Sequence, residues 1–317
     1  MKVNNYSMPY LITYQTNSSC DNSKKFKLLG GRETVEALTD HPGIKALTFV
    51  GSSAIAKLVS QRAILSGKRA LCLGGAKNHL CVLPDADYDM CSTDIMNSFA
   101  GSTGQRCMAA SVLLVVGDVK PLFFDLLIKK AKALKGGQEL GQVGPVIDEA
   151  SKTRILRYIN EAETRDGAEV LVDGRSWSSK PGFWVGPTIL LHKSAKDAAV
   201  MDEIFGPVLS VVKVNTFDEA LEIENNNPYG NAASIYTSIG QSSEYFLSRF
   251  KAAMLGVNIG VPVPREPFSF GGMNGSNFGI GDVTGDNCME FFTQRKKITQ
   301  KWVPPQDQSV MTSSFIS

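Results

Sequence analysis

Ala46 to Val50 is a short apolar run that breaks at Gly51-Ser52-Ser53, passes into a helical stretch, and returns as Arg69 to Leu73 before a second break at Gly74-Gly75. This strand–turn–helix–strand alternation constrains the chain more than any other feature. Two strands separated by a helix pair in parallel, because the crossover consumes the residues that a hairpin would leave out. The run over 46–50 is therefore predicted to be a buried parallel strand. Ile55, Leu58, Val59 and Leu65 are predicted to form the apolar face of the helix, with Gly67 closing it.

The alternation recurs. Leu28-Leu29-Gly30-Gly31 reads as a strand ending in a turn, and Glu33 to Leu38 as a short helix stopped by Asp40-His41-Pro42-Gly43. Further helices are expected over 122–134, 151–162, 217–224 and 241–250. Strands are expected over 170–172, 208–214, 232–236 and 254–259. The first 25 or so residues, with Asn4-Asn5 and Asn17-Ser18-Ser19, read as irregular. Residues 303–317 read as a loose tail. The fold class is α/β.

A chain of 317 residues suggests roughly two domains. Its 33 Lys+Arg against 31 Asp+Glu leave a net charge of +2, which argues against nucleic acid or an acidic membrane surface as partner. No stretch approaches the ~20 apolar residues of a membrane span. The six cysteines include no CxxC pair, and there are three histidines, so free thiols in a reducing compartment are expected and metal is not. The amino-terminal residues show neither a secretory nor a transit-peptide pattern.

Three segments carry chemistry. Gly51-Ser52, between a strand and a helix, brings backbone N–H groups and a helix N-terminus to one point, which suits a phosphate; an ordinary βα turn is the alternative. Gly101 to Ala109 holds Cys107 beside Arg106 after a glycine-rich loop. If Cys107 opened a helix, the dipole and Arg106 would favour its thiolate, whereas the alternative is a buried structural thiol. Cys72, Cys81 and Cys91 lie among apolar residues and read as core. In Asp202 to Pro207, Glu203 could bond a ribose diol or form a solvated acidic turn.

In their order and spacing, these segments resemble the aldehyde dehydrogenase family. Glu203-Ile204-Phe205-Gly206-Pro207-Val208 is similar to its nicotinamide-ribose motif, Gly104-Gln105-Arg106-Cys107 to its catalytic cysteine loop, and Gly51-Ser52 to its dinucleotide-phosphate turn. Gly74 to His79, Asn227 to Asn231, Val261 to Pro264, Phe268 to Phe270 and the ending Phe291 to Trp302 resemble the CoA-acylating methylmalonate-semialdehyde dehydrogenase branch.

The resemblance implies NAD as cofactor, held by Gly51, Ser52, Glu203 and Phe205. Cys107 is implied as nucleophile and Arg106 as the partner of a substrate carboxylate. Coenzyme A is implied as acyl acceptor, with loss of CO2. Hydrolytic relatives carry a Glu where this chain has Cys72. Water needs such a base, whereas a thiol titrating near about 8.5 does not.

The implied layout is an unmatched segment 1–26, part of a dinucleotide-binding domain 27–80, a catalytic domain 81–282, an oligomerisation segment 283–303 with a strand from Phe291, and a tail 304–317. A homodimer or homotetramer is implied, in the mitochondrion or else the cytoplasm. Three family features find no counterpart before Lys27: an oxyanion Asn, an adenosine-ribose Lys and a second carboxylate-binding Arg. That leaves a second expectation, a truncated paralogue without turnover that acts through oligomerisation.

Overall fold

A computed structural model describes residues 12–16 and 24–302. The chain opens with β1 (Ile12–Thr16) and β2 (Lys24–Leu28), paired antiparallel with Ile12 opposite Leu28 and Tyr14 opposite Phe26. This hairpin replaces the irregular stretch expected there. Its alternating Lys-X pattern is short, and the flanking Asn and Ser clusters conceal it. Cys20, the rest of the first 26 residues and the tail from 303 lie outside the described residues.

Then follow α1 (Arg32–Asp40), β3 (Ala46–Val50), α2 (Ser53–Leu65) and β4 (Arg69–Leu73). The middle of the chain supplies β5 (Asn78–Val82), α3 (Tyr88–Phe99), β6 (Ala110–Val116), α4 (Pro121–Ala133), α5 (Glu149–Thr164), β7 (Glu169–Val172), β8 (Thr188–His192), α6 (Ala198–Met201) and β9 (Val208–Val214). The last part holds α7 (Phe217–Asn225), β10 (Tyr229–Gly230), β11 (Ala232–Tyr236), α8 (Gly240–Leu247), β12 (Met254–Val257), β13 (Met273–Asn274), β14 (Asn277–Gly279) and α9 (Asp286–Phe292).

The larger sheet has seven strands in the order β12-β11-β5-β6-β9-β8-β7. All its pairings are parallel except β7 against β8. The apolar run of β6 shows why it lies at the centre. Leu113 and Val115 pack with Ile95, Phe99, Phe123 and Leu127 on one face, while Val112, Leu114 and Val116 pack with Leu221, Phe246 and Phe250 on the other. A strand covered on both faces needs no polar alternation.

The smaller sheet is β14-β4-β3, with β3 and β4 parallel as the opening alternation requires and β14 antiparallel to β4. Two expectations fail here. β3 is an edge strand on which Phe49 alone is buried, since it pairs with β4 and no other described strand. On α2 the buried residues are Ala56, Val59, Ser60 and Ala63, while Leu58 and Leu65 are 60% and 89% exposed. Small side chains let this helix lie close to Phe49, Ala70 and Cys72. Val59 is buried as expected, but ranking by hydrophobicity misplaces Ile55, Leu58 and Leu65 and misses Ala56 and Ala63. The helix ends as expected: Gly67 takes φ +69° and donates to the Ile64 carbonyl at 2.9 Å, while Lys68 donates to Ala63 at 3.0 Å.

The expected strand from Phe291 is also absent. Phe291 and Phe292 close α9, and residues 293–302 adopt neither helix nor strand. A strand needs a partner edge, and the one implied for this segment belongs to an assembly of chains. The Arg69 guanidinium instead holds the Glu290 and Thr293 carbonyls.

Candidate active site

Cys107 lies in a turn between Gly101–Gly104, a 3-10 turn, and β6. It opens no helix, so no helix dipole acts on it from that position. The loop is forced into an unusual path. Ser102 and Thr103 both have positive φ (51° and 56°), as does Gly104 (66°), a region costly for side-chain-bearing residues. Fixed bonds hold it: Thr103 Oγ1 donates to the Gly144 carbonyl at 2.8 Å, and Gln105 Oε1 accepts the Ile147 N–H at 3.0 Å. A Cβ on Gly104 would overlap the Gly206 backbone, so the cysteine loop and the Glu203-to-Pro207 segment abut main chain to main chain.

The thiol of Cys107 is half-buried beside Met108, Ala232, Val261 and Phe270. Burial raises its pKa; its own N–H and that of Met108 oppose the rise, and the Glu203 charge adds to it. Arg106 supplies no balancing cation. Its Nη2 donates to the Asn97 and Ser98 carbonyls at 2.5 and 3.1 Å, near the negative end of α3. Its Nε is buried without a partner.

Glu203 stands against the second glycine break. Its Oε1 accepts the Ala76 N–H at 2.8 Å, and a Cβ on Gly75 would come within 2.5 Å of Oε2. Only a bare backbone admits the carboxylate there. Burial raises the Glu203 pKa, while Lys77 and Arg154 oppose. Phe205, two residues on, is in the left-handed region at φ 54° and remains partly exposed. Such strain in an aromatic residue marks a position held by its surroundings.

Ser53 completes the cluster. Its hydroxyl donates to the Gly275 carbonyl at 2.5 Å and accepts the Gly75 N–H at 2.9 Å. Gly51-Ser52, Gly74-Gly75, Glu203 and the Cys107 loop thus form one connected group, although they are far apart in sequence. Ser52 caps α2 without a side-chain bond, and the first turn of that helix holds no acid.

Several neighbours carry no signal that local reading can use. Lys77 is buried, donates to the Ala199 carbonyl at 2.8 Å, and has a pKa lowered to about 7 by burial. His79 is lowered to about 3 by burial and is neutral at physiological pH. Asn78 donates to the carbonyls of Cys107 (2.8 Å) and Ala109 (2.9 Å), and Asn231 also donates to Cys107 (2.9 Å). These residues stand inside the quoted segments, but their roles depend on strand ends that meet only in the fold. Cys72 is fully buried on β4, and its thiol is pushed up to about 12 by burial. Cys81 and Cys91 are also buried. Among the described residues no group of three or more His, Cys, Asp or Glu side chains could hold a metal ion.

The aldehyde dehydrogenase family pattern matches residues 26–298. The chain belongs to the aldehyde dehydrogenase family. Malonate-semialdehyde dehydrogenase 1 of Oceanobacillus iheyensis is 40% identical over 278 residues, covering 86% of this chain and 57% of that protein. Malonate-semialdehyde dehydrogenase 2 of Geobacillus thermodenitrificans is 42% identical with the same coverages. Among solved structures, the methylmalonate-semialdehyde dehydrogenase of Oceanimonas doudoroffii matches with TM-score 0.84 and 38% identity, over 87% of this chain and 58% of its own. A Sinorhizobium meliloti protein solved in complex with NAD matches with TM-score 0.84 and 36% identity, over 88% and 58%. The chain thus spans under three-fifths of the length of these relatives, and its aldehyde dehydrogenase fold is built on the seven-stranded and three-stranded sheets.

Proposed function

We propose that this chain carries the catalytic cysteine and part of the cofactor site of a semialdehyde dehydrogenase that passes its acyl group to coenzyme A. The observation that carries this reading is the main-chain contact of Gly104 with Gly206, which brings the Cys107 loop against the segment bearing Glu203.

The residues present fit NAD. The uncapped start of α2 at Gly51-Ser52 suits a pyrophosphate. Glu203, with Oε1 held by Ala76, keeps Oε2 to accept from a ribose hydroxyl, and Phe205 flanks it. When bound, NAD supplies the hydride acceptor.

The remaining chemistry belongs to the chain. Cys107, as thiolate, attacks the aldehyde carbon, and the N–H groups of Cys107 and Met108 that face the sulfur favour the anionic form. The resting group is a thiol, since burial raises its pKa, and being only half-buried it gives its proton to water as it attacks. After oxidation the acyl group is a thioester on Cys107. Cys72 is fully buried with its thiol pushed up to about 12, so it is no base for water. Transfer to the coenzyme A thiol then releases the acyl group. Arg106 would have to turn from the Asn97 and Ser98 carbonyls to meet a substrate carboxylate. A malonate-type semialdehyde would lose that carboxylate as CO2 and leave acetyl-CoA, or propionyl-CoA from its methyl homologue.

A second reading, in which this chain keeps the fold and forms oligomers without turnover, has on its side the Arg106 guanidinium committed to the Asn97 and Ser98 carbonyls. Isothermal titration of NAD into the purified chain separates the two. Micromolar binding, followed by CoA-dependent NADH formation that Cys107→Ala abolishes, supports the enzyme. A folded chain that binds no NAD overturns it.

A further inference from the structure

The Cys107 carbonyl accepts two side-chain amides. Asn78 reaches it from the start of β5 at 2.8 Å, and Asn231 from just before β11 at 2.9 Å. Both side chains are buried, at 3% and 8% exposure. A carbonyl has two lone pairs, so this one is saturated. Asn78 is itself pinned, since it also donates to Ala109 and accepts the Ala232 N–H at 3.1 Å. In a trans peptide the carbonyl of one residue and the N–H of the next point in opposite directions. Fixing the Cys107 carbonyl therefore fixes where the Met108 N–H points, and that N–H faces the Cys107 thiol. Accepting two hydrogen bonds also polarises the peptide and makes its N–H a better donor.

We propose that Asn78 and Asn231 are positioning residues for the nucleophile, holding the Cys107–Met108 peptide so that its N–H supports the sulfur as it becomes anionic. This rests on Cys107 being the nucleophile. The pair opposes two influences that work against the thiolate, burial and the Glu203 charge. It does so without a cation, which Arg106, turned toward α3, does not supply.

The test reads the thiol directly. The whole chain and its Asn231→Ala and Asn78→Ser variants are alkylated with iodoacetamide between pH 6 and 10, a range about the ordinary thiol pKa. Modification at each cysteine is followed by mass spectrometry. Half-buried Cys288, outside the cluster, is the internal reference. In Asn231→Ala the midpoint of the Cys107 profile should rise by about half a pH unit, with about threefold slower reaction at neutral pH. The Cys288 profile should not move. A Cys107 midpoint equal to that of the unaltered chain, or an equal shift at Cys288, overturns the proposal. Asn231 carries the test if Asn78→Ser does not fold, because among the described residues its side-chain amide bonds to Cys107 alone. Absence of turnover with the Asn231 dependence intact would count against the proposed function, whereas loss of that dependence in a chain that turns over would count against this inference alone.

Discussion

Gly104 shows how a single residue sets the site. It combines positive φ with main-chain contact on Gly206. Gly104→Ala should therefore destabilise the chain by about 3 kcal/mol, read as a lower denaturant midpoint. A control at exposed Gly141, which also has positive φ but open space for a Cβ, should cost about 1 kcal/mol. Glu224 offers a pH test away from the site. Its carboxyl is buried against α7's core, accepts the Lys251 N–H at 3.2 Å, and is raised from 4.5 to about 7 by burial. The folded state then holds a proton that the unfolded state releases between these values. Its contribution to stability is fully present below about 4.5 and is lost as pH rises to about 7. Glu224→Gln should remove that slope and leave the variant more stable at pH 8 by up to about 3 kcal/mol, at about 1.4 kcal/mol per pH unit. Parallel denaturant titrations at pH 5 and pH 8 would measure it. The cysteine and Glu203 were legible as residue types in suggestive company. Ala76, Asn78 and Asn231 were not, because a main-chain N–H and two amides gain a role only when distant strand ends converge.

At the scale of elements, α2 separates pattern from packing. Its length and its glycine stop follow from local rules, since helix ends are settled by backbone hydrogen bonds within a few residues. Its buried face does not, because which side is covered depends on how closely β3 and β4 let the helix approach. Leu58→Lys together with Leu65→Lys should change the melting temperature of this chain by no more than a degree or two, about the effect of exposed substitutions. Ala63→Leu, at a fully buried position, should destabilise by about 2 kcal/mol through overpacking. Equal effects from the two changes would mean that the helix does not dock as described. The segment after Phe291 also escapes a local reading: the resemblance implied a strand within an assembly, whereas in the single chain Phe291 and Phe292 close α9.

For the whole molecule, the two sheets differ in cover. β6 and β9 lie inside the seven-stranded sheet with helices on both faces, whereas β3 is an edge of the three-stranded sheet with one buried side chain. Local opening should follow that difference. In hydrogen exchange read by mass spectrometry, peptides over β6 and β9 should stay protected well after peptides over β3 have exchanged. Uniform protection across both sheets would contradict this. NAD added to the chain should slow exchange at the start of α2 if the proposed cofactor site is used.

By itself the sequence determined the α/β class, the parallel pairing of β3 with β4, the punctuation of its helices and the family to which the chain belongs. These follow from periodicity, from glycine geometry and from residue types in order, all of which act over a few positions. Tertiary structure alone decided that Ser53, Gly75, Ala76, Glu203, Gly206 and Gly104 touch in succession and that two asparagines hold the Cys107 carbonyl. It also decided that Arg106 turns to the end of α3 and that α2 buries its small side chains. Most of these are contacts between segments twenty or more residues apart, as from Ser53 to Gly75 and from Ala76 to Glu203, and their geometry is set by how closely packed backbones approach one another, a distance that no local pattern contains.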